Sequence, residues 1–245
     1  MHCIIFDMKR YRNEWKYILP EYDLMHLEDR VSHLLLPDPH SPEGRYVIHS
    51  LYFDDYLDSC AQDNEAGTKK RCKYRIRYYG KDLHSLHLER KEKTGNLCHK
   101  ESVPLSIETY ELICSGNVSS LLMKLDELYL SDPQKLMLKQ FCAQILLRHF
   151  TPKIIVDYHR TAFVDEITDV RITFDRNICV SDRTECFLSK DYPTTPILNG
   201  QESILEVKFD YILPSFLKYA ACLPQMIPCS FSKYYMGRMR LSANR

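Results

Sequence analysis

Segments with one charged face and one apolar face recur along this chain, and this alternation constrains the fold more than any other feature of the sequence. In residues 11–19, Arg12, Glu14 and Lys16 alternate with aromatic and aliphatic residues. A period of two is typical of a β-strand whose two faces meet different surroundings. Further strands are predicted over residues 45–54, 73–79, 85–93, 97–103, 153–164, 170–175 and 203–210. The chain is therefore predicted to be built around an extended antiparallel sheet.

A second group of segments has its apolar residues at helical spacing. In residues 22–36, leucines recur every three or four positions before Pro37 ends the segment. Further helices are predicted up to Gly116, over residues 119–130, after Pro133 and over residues 214–221. A polar loop is predicted over residues 60–70, turns over residues 38–44 and 94–96, and a last strand over residues 230–235. Strands and helices together indicate an α+β fold.

Charge and cysteine content narrow the class of protein. Lys plus Arg and Asp plus Glu each number 33, so the chain lacks the global basic field that nucleic-acid binders carry. The ten cysteines form no Cys-x-x-Cys pair and are predicted to be free thiols in a reducing cytosol. No stretch reaches the roughly 18 apolar residues that a membrane-spanning helix needs. These features predict one cytoplasmic domain over residues 1–245, with no nucleic-acid partner.

The charged strand faces are compatible with two environments. On an ordinary sheet packed against helices by its other face, they would face solvent. Cations at successive positions of one face repel each other, however, so the row Lys73, Arg75 and Arg77 costs free energy unless an anion lies among them. If the sheet closes with its apolar face outward, the charged side chains converge on a tunnel. We therefore predict a closed antiparallel β-barrel tunnel with a charged interior and helices packed outside, in which Trp15 points outward beneath a helix.

A tunnel lined by cations needs an anionic occupant with many regularly spaced charges. Phosphate chains fit best because each phosphate offers several acceptor oxygens to Arg and Lys side chains. Glu14, Glu89 and Glu206 form an acidic minority on the same strand faces. Carboxylates of this kind hold divalent cations that bridge phosphates. The residues alone thus indicate a site for a metal-bound phosphate chain.

Seven short strings, in order along the chain, resemble one known family. They are R-N-E-W-K-Y (12–17), Y-R-I-R-Y-Y (74–79), L-E-R-K-E-K (88–93), V-D-Y-H-R-T-A-F (156–163), V-R-I-T-F-D (170–175), L-E-V-K-F (205–209) and F-S-K-Y-Y (231–235). Together they resemble the catalytic domain of the vacuolar transporter chaperone family, the polyphosphate polymerase branch of the triphosphate tunnel metalloenzymes. Each string alone is weak, but the ordered set is specific and extends over nearly the whole chain.

This resemblance implies a set of site residues. Glu206 would hold the metal, manganese or magnesium, with Glu14 and Glu89 as further candidates for metal or water contacts. The residues implied to surround the phosphates of nucleotide and product are Lys16, Arg75, Arg77, Lys91, Arg160, Arg171 and Lys233, with Tyr158, Lys208 and Ser232 as further phosphate-binding candidates.

The implied reaction is phosphoryl transfer. The terminal phosphate of a growing chain attacks the γ-phosphate of ATP and releases ADP, a reaction that depends on positioning and charge neutralisation rather than on a covalent intermediate. The implied partners are therefore ATP and polyphosphate. Membrane helices accompany this domain in the fungal members of the family, so a membrane-protein partner is a further expectation, and the oligomeric state is left open.

Three other functions are compatible with parts of the pattern. A hydrolase of triphosphate or nucleotide tails is disfavoured because hydrolytic relatives begin with Glu-x-Glu-x-Lys, whereas Arg12 occupies the first of these positions. A non-catalytic polyphosphate-binding module would be marked by loss of the metal carboxylate, and Glu206 is present. A single-stranded RNA binder needs aromatic residues on the same face as the cations, but Tyr74 and Tyr78 lie on the other face of the strand from Arg75. The polymerase is the function we predict.

Overall fold

The strands of the protein alternate in direction and make up one sheet. The computed structural model describes residues 11–39, 44–95 and 97–243. Cys3, Asn96 of one predicted turn and residues 40–43 of the other lie outside this part of the chain. The strands are β1 (Arg12–Pro20), β2 (Leu36–Pro37), β3 (Tyr46–Asp54), β4 (Lys70–Tyr79), β5 (Asp82–Thr94), β6 (Leu97–Pro104), β7 (Thr151–Asp165), β8 (Val170–Ser181), β9 (Thr195–Pro196) and β10 (Glu202–Phe209).

Eight of these strands close into a ring. The order around the ring is β7, β3, β4, β5, β6, β1, β10 and β8, and β8 pairs with β7 to complete it. The short strands β2 and β9 pair with β7 and β8. The join between β1 and β6 is brief, since it consists of the pairs Arg12 with Cys98 and Asn13 with Leu97. The predicted closed antiparallel tunnel is therefore confirmed.

The helices follow the strands and cover the outside of the ring. They are α1 (Glu21–Ser32), α2 (Ser59–Glu65), α3 (Ile107–Cys114), α4 (Val118–Met123), α5 (Asp132–Arg148), α6 (Ser215–Ala221) and α7 (Lys233–Ser242), and short 3₁₀ turns lie at Leu125–Glu127 and Thr184–Cys186. Within residues 11–39, 44–95 and 97–243, no helix has both the length and the apolar character needed to cross a bilayer.

Two apolar cores lie between the ring and the helices. One packs residues of α1 and α6, such as Leu27 and Leu217, against Ile172 and Val207 of β8 and β10. The other, larger core lies beneath α3, α4 and α5. Trp15 packs on the first core, with its ring 4.9 Å from that of Phe209 in an edge-on arrangement. The apolar strand faces therefore point outward, as the alternation predicts, and the charged faces point into the ring.

The prediction of a last strand over residues 230–235 was wrong. The chain instead enters α7 at Lys233, because the Ser232 hydroxyl accepts the backbone N–H of Tyr235 and caps the helix. The aromatic residues that favoured a strand belong to this helix start, where Tyr234 is buried against Asp54 through a 2.7 Å hydrogen bond. Side-chain capping of this kind outweighs the strand preference of a short aromatic run.

The prediction of a polar loop over residues 60–70 was wrong for residues 60–65, which belong to α2. The Asp54 carboxylate accepts the backbone N–H groups of Cys60 and Ala61, and the Asp55 carboxylate accepts that of Ser59. These acceptors satisfy the first N–H groups of a helix that its own composition scarcely favours. The end of β3 therefore organises the helix that follows it.

Candidate functional site

A cavity of about 120 Å³ lies inside the ring. One water needs roughly 10–15 Å³, so the cavity admits solvent and small ions. Of the carboxylates among the described residues, Glu14 and Glu206 line it. The cations that line it are Lys16, Arg71, Lys73, Arg75, Arg77, Lys91, Lys93, Arg160, Lys208 and Lys233. The wall of the cavity thus carries a large excess of positive charge.

Most of the site residues predicted from the sequence meet at this cavity. Two of them lie beside it instead. Glu89 is buried and forms an ion pair with Arg75, which does line the cavity. Arg171 lies on the inner face of β8, where it pairs with Asp38. The predicted residues that line the cavity are Glu14, Lys16, Arg75, Arg77, Lys91, Tyr158, Arg160, Glu206, Lys208, Ser232 and Lys233.

Glu206 is the centre of the charged network. Burial alone would raise the pKa of its carboxyl group, but the neighbouring ammonium groups of Lys16 and Lys233 outweigh it and hold that pKa well below its usual range. The carboxylate therefore stays ionised at all physiological pH values. Its cationic neighbours are Lys16 at 3.3 Å, Lys233 at 3.1 Å, Lys208 at 3.2 Å and Arg160 at 3.6 Å.

Glu14 forms a second anionic point on the adjacent strand. Both of its carboxylate oxygens accept hydrogen bonds from Lys91, at 2.8 and 2.7 Å, and one also accepts from the Cys98 thiol at 3.1 Å. Lys16 lies between this carboxylate and Glu206, at 3.9 Å from Glu14. Lys208 also lies near both carboxylates, at 3.8 Å from Glu14 and 3.2 Å from Glu206. The two carboxylates therefore share two lysines and face the same part of the cavity.

Asp175 is a site-organising residue that the sequence analysis did not single out. It is fully buried on β8, and its two oxygens accept hydrogen bonds from Arg160 at 2.6 Å. Lys233 donates to it as well, at 2.6 Å. The ring of Tyr158 lies 4.7 Å from the Lys233 ammonium and 5.2 Å from the Arg160 guanidinium, in cation–π range. Asp175 and Tyr158 thus hold two cations in fixed positions beside Glu206.

Glu89 has the corresponding task for the cations of β4. Its carboxylate lies 2.7 Å from Arg75 and 3.3 Å from Arg77, and Lys100 donates to it at 3.1 Å. Burial would raise the pKa of Glu89, but the charges of Arg75 and Lys100 outweigh it and lower that pKa to about 2. Because its carboxylate is bound by three cations and it does not line the cavity, Glu89 orients the arginines.

The start of α7 completes the wall of the cavity. Ser232, Lys233 and Tyr234 all line it, so the positive end of the helix faces the cavity. Lys16 donates to the backbone carbonyl of Phe231 at 3.0 Å, which ties this segment to β1. The family resemblance had implied Ser232 and Lys233 at the site, and both line the cavity, although from the start of a helix rather than from the predicted strand.

Three further cations, Arg71, Lys73 and Lys93, line the cavity but were not among the predicted site residues. Their signal was present, since Lys73 continues the basic row of β4 and Lys93 that of β5. Burial, followed by the charges of Lys16 and Lys91, lowers the pKa of Lys73 to about 7. The lowered pKa of Lys73 thus reflects a cavity in which the cations outnumber the carboxylates.

The carboxylates fit a divalent ion that takes most of its ligands from a substrate. In residues 11–39, 44–95 and 97–243, no three His, Cys, Asp or Glu side chains converge as a ready metal site. Glu14 and Glu206 nevertheless supply hard oxygen ligands on either side of Lys16. Magnesium-type ions are commonly held by one or two carboxylates together with water and phosphate oxygens. The donor set therefore suits a metal that arrives with a phosphate ligand.

A closed antiparallel ring around a cation-lined cavity is the architecture of the triphosphate tunnel proteins. The chain belongs to the VTC domain family, whose family model matches residues 11–242. The resemblance seen in the sequence is thereby confirmed. No curated protein matches the chain.

Solved structures resemble the chain at low sequence identity. A putative adenylyl cyclase, HpAC1 from Hippeastrum, described as having a dominant triphosphatase activity, is 17% identical over 94% of this chain and 96% of its own, with a TM-score of 0.54. The PH1819 protein of Pyrococcus horikoshii OT3 is 10% identical over 96% and 100%, with a TM-score of 0.46. A putative adenylate cyclase of Bacillus halodurans is 14% identical over 82% and 81%, with a TM-score of 0.43. At 17% identity the likeness to HpAC1 concerns the fold alone.

Proposed function

We propose that this protein is a metal-dependent polyphosphate polymerase that transfers the γ-phosphate of ATP to a growing polyphosphate chain. One observation carries the proposal: ten cations and two carboxylates line a cavity inside a closed ring. Such an excess of buried positive charge is costly without an anionic ligand. A chain of phosphates supplies negative charge at regular spacing, and membership of the VTC domain family favours this ligand over other polyanions.

The cations of the site would bind and orient the two reacting phosphate groups. Arg75 and Arg77 are held by Glu89, and Arg160 by Asp175, so their guanidinium groups are fixed before substrate arrives. Fixed donors stabilise charge that develops during reaction without reorganising. Lys16, Lys91 and the other lysines of the wall would add positive charge along the chain.

The reaction needs positioning more than it needs a reactive side chain. A terminal phosphate oxygen of the chain forms a new bond to the γ-phosphorus of ATP, while the bond from that phosphorus to the β–γ bridging oxygen breaks and ADP leaves. The cations would offset the negative charge on the attacking and leaving oxygens. Glu206 and Glu14 would hold a manganese or magnesium ion, which neutralises phosphate charge when bound.

The environment of Arg12 favours transfer to phosphate over transfer to water. Arg12 pairs with Asp210 at 2.8 Å and also donates to the backbone of Asp169. It lies outside the set of residues that lines the cavity, so this strand offers the site only one acidic residue, Glu14. Fewer carboxylates leave fewer groups to bind or activate a water, whereas phosphate acceptors need only cations.

We propose a reducing compartment, the cytoplasm, as the place where ATP is used. The cysteines of the described residues, nine in number, are all free thiols. Free thiols persist where glutathione and thioredoxin keep proteins reduced, and ATP is available there. Nucleic acid is not proposed as a partner, because the cations face a cavity inside the ring rather than its outer surface.

The test is incubation of the purified protein with ATP and Mn²⁺ or Mg²⁺, with ADP release and ³¹P NMR as readouts. We expect internal-phosphate signals that grow with ADP and that disappear in Glu206→Ala. Glu108→Ala is the matched control, since Glu108 is an exposed glutamate that pairs with Lys124 on the outer helices. Orthophosphate without polymer would establish a triphosphatase instead, and tight polyphosphate binding without turnover would establish a binding module.

A further inference from the structure

Lys73 differs from Lys16 and Lys233, two other lysines of the cavity, in the partners it has. Its ammonium group donates to the Ser232 hydroxyl at 2.6 Å and to the Asn64 side-chain carbonyl at 3.0 Å. Both acceptors are neutral, and none of the described carboxylates lies within ion-pair distance of it. By contrast, Lys16 and Lys233 each contact Glu206. Lys73 therefore lines the cavity as a cation without a counter-charge.

The surroundings of Lys73 add positive charge rather than balance it. Lys16 of β1, Lys91 of β5 and Arg71 of its own strand all repel its charged form. From α2 the Cys60 thiol faces it, and from α7 the ring of Tyr234 lies 5.8 Å from its ammonium. The titratable groups packed around Lys73 thus include three cations and two groups that are neutral near pH 7.

An apolar side chain at this position would be less costly to the fold. A buried ammonium loses its hydration, and two neutral hydrogen bonds only partly replace it. This loss, together with repulsion from Lys16 and Lys91, lowers the pKa of Lys73 to about 7. A negatively charged group beside Ser232 would therefore stabilise the charged form of Lys73, and the described part of the protein supplies none there.

We infer that Lys73 is an additional phosphate-binding residue of the tunnel, and that a phosphate group of the bound chain supplies the counter-charge that the protein withholds from it. This inference rests on the proposed function, because it takes the phosphate chain as the ligand. It adds a binding position at the junction of β4, α2 and the start of α7, on Lys73, Asn64 and Ser232. The carboxylates of the metal-binding part of the cavity do not contact this position.

Binding of phosphate is expected to be accompanied by protonation of Lys73. Free Lys73 is largely neutral at pH 8, because its pKa is about 7. A bound phosphate favours the ammonium form, so binding at pH 8 draws a proton onto Lys73. The contribution of Lys73 to affinity for the chain therefore increases as the pH falls towards its pKa of about 7 and levels off below it.

Calorimetric titration with inorganic tripolyphosphate, without metal, tests the inference. Titrations at pH 8 in two buffers of different ionisation enthalpy give the number of protons taken up. Lys73→Arg keeps its positive charge at every pH, so its titration measures the protons that the ligand itself takes up. Subtracting that number from the wild-type value leaves the protons taken up by Lys73. We expect the wild type to take up about one proton more than Lys73→Arg, and Lys73→Met to bind about tenfold more weakly than the wild type.

Two controls separate the outcomes. Lys124→Met removes the same charge from an exposed position and should leave affinity within about twofold of the wild type. A melting curve establishes that Lys73→Met is folded. Two results together would overturn the inference and leave the proposed function standing. They are that Lys73→Met binds tripolyphosphate as tightly as the wild type, and that Lys73→Arg takes up as many protons as the wild type. If the wild type does not bind tripolyphosphate without metal, the inference is overturned. If it does not bind tripolyphosphate with Mg²⁺ present either, the proposed function is overturned as well.

Discussion

Lys16 and Glu206 stand directly opposite each other on β1 and β10, with the ammonium 3.3 Å from the carboxylate. Two residues further along, the same pairing occurs in reverse, since Glu14 stands opposite Lys208. A slip of one residue would move every one of these charges to the apolar face. The charge pattern that forms the site therefore also fixes the register of the two strands.

Glu206→Gln should separate binding from turnover. The substitution removes the proposed metal ligand, so we expect metal-dependent turnover to fall by at least about a hundredfold. It also releases Lys16, Lys208 and Lys233 from their shared carboxylate. Metal-free affinity for tripolyphosphate should then stay the same or increase, as measured by calorimetry. A parallel loss of binding and activity would contradict the assignment of Glu206 to the metal.

Asp175→Asn should destabilise the free protein and be rescued by ligand. The change leaves Arg160 and Lys233 buried with one charged partner fewer. Breaking a buried ion pair in this way costs about 3–5 kcal/mol. Urea unfolding should measure this loss, and saturating tripolyphosphate should recover part of it, because the phosphates replace the missing negative charge.

The matched control for this measurement is Asp126→Asn, since Asp126 is exposed on the helical side of the protein. It should change the free energy of unfolding by less than about 0.5 kcal/mol. A loss of stability in Asp175→Asn that tripolyphosphate leaves untouched would show that Asp175 supports packing alone.

Gly237→Ala should loosen α7 although alanine is the better helix former. A Cβ atom at Gly237 would lie 2.7 Å from Val180 Cγ1 and 2.9 Å from Ile154 Cδ1. Overpacking of this kind costs about 1–3 kcal/mol, which exceeds the roughly 1 kcal/mol that alanine gains in a helix. We expect a lower melting temperature and weaker tripolyphosphate binding, because α7 carries Ser232 and Lys233. Arg240→Ala, at an exposed position of the same helix, should show neither effect.

The lowered pKa of Lys73 should be visible in the pH dependence of stability. Its pKa is about 7 in the folded protein against 10.5 for an ordinary lysine, so between these values the unfolded chain binds more protons. Stability therefore rises with pH through this window. Lys73→Met lacks this titration and should be more stable than the wild type at pH 7 by a few kcal/mol. The advantage should shrink as the pH approaches 10.5, as measured by urea unfolding, and an advantage that is constant from pH 7 to 10 would contradict it.

Much of the site was predictable from local sequence because strand alternation decides which way a side chain points. Glu14 and Lys16 face the cavity while Trp15 between them packs on an outer core, and the period of two requires this division. Lys233 was predicted at the site even though its element was wrong. The family resemblance, rather than the alternation, implied its position, and it lines the cavity from the start of α7.

The partners of these charges were not predictable in the same way. Asp175 contacts Lys233, 58 residues away, and Lys73 contacts Ser232, 159 residues away. Sequence analysis placed Glu89 with the metal candidates, but the register of β4 and β5 sets it against Arg75. Which carboxylate meets which cation depends on ring closure, and no local pattern encodes that.

The sequence by itself determined that this chain forms strands with one charged and one apolar face, because a period of two leaves no other arrangement for such residues. It also determined that the charged faces would collect cations in excess of carboxylates. Only the tertiary structure decided how that excess is distributed, since closing the ring through β7 and β8 brings distant strands to a common cavity. There Glu206 is surrounded by cations and Lys73 is left with neutral partners, because burial makes each charge depend on the few groups that the fold places beside it.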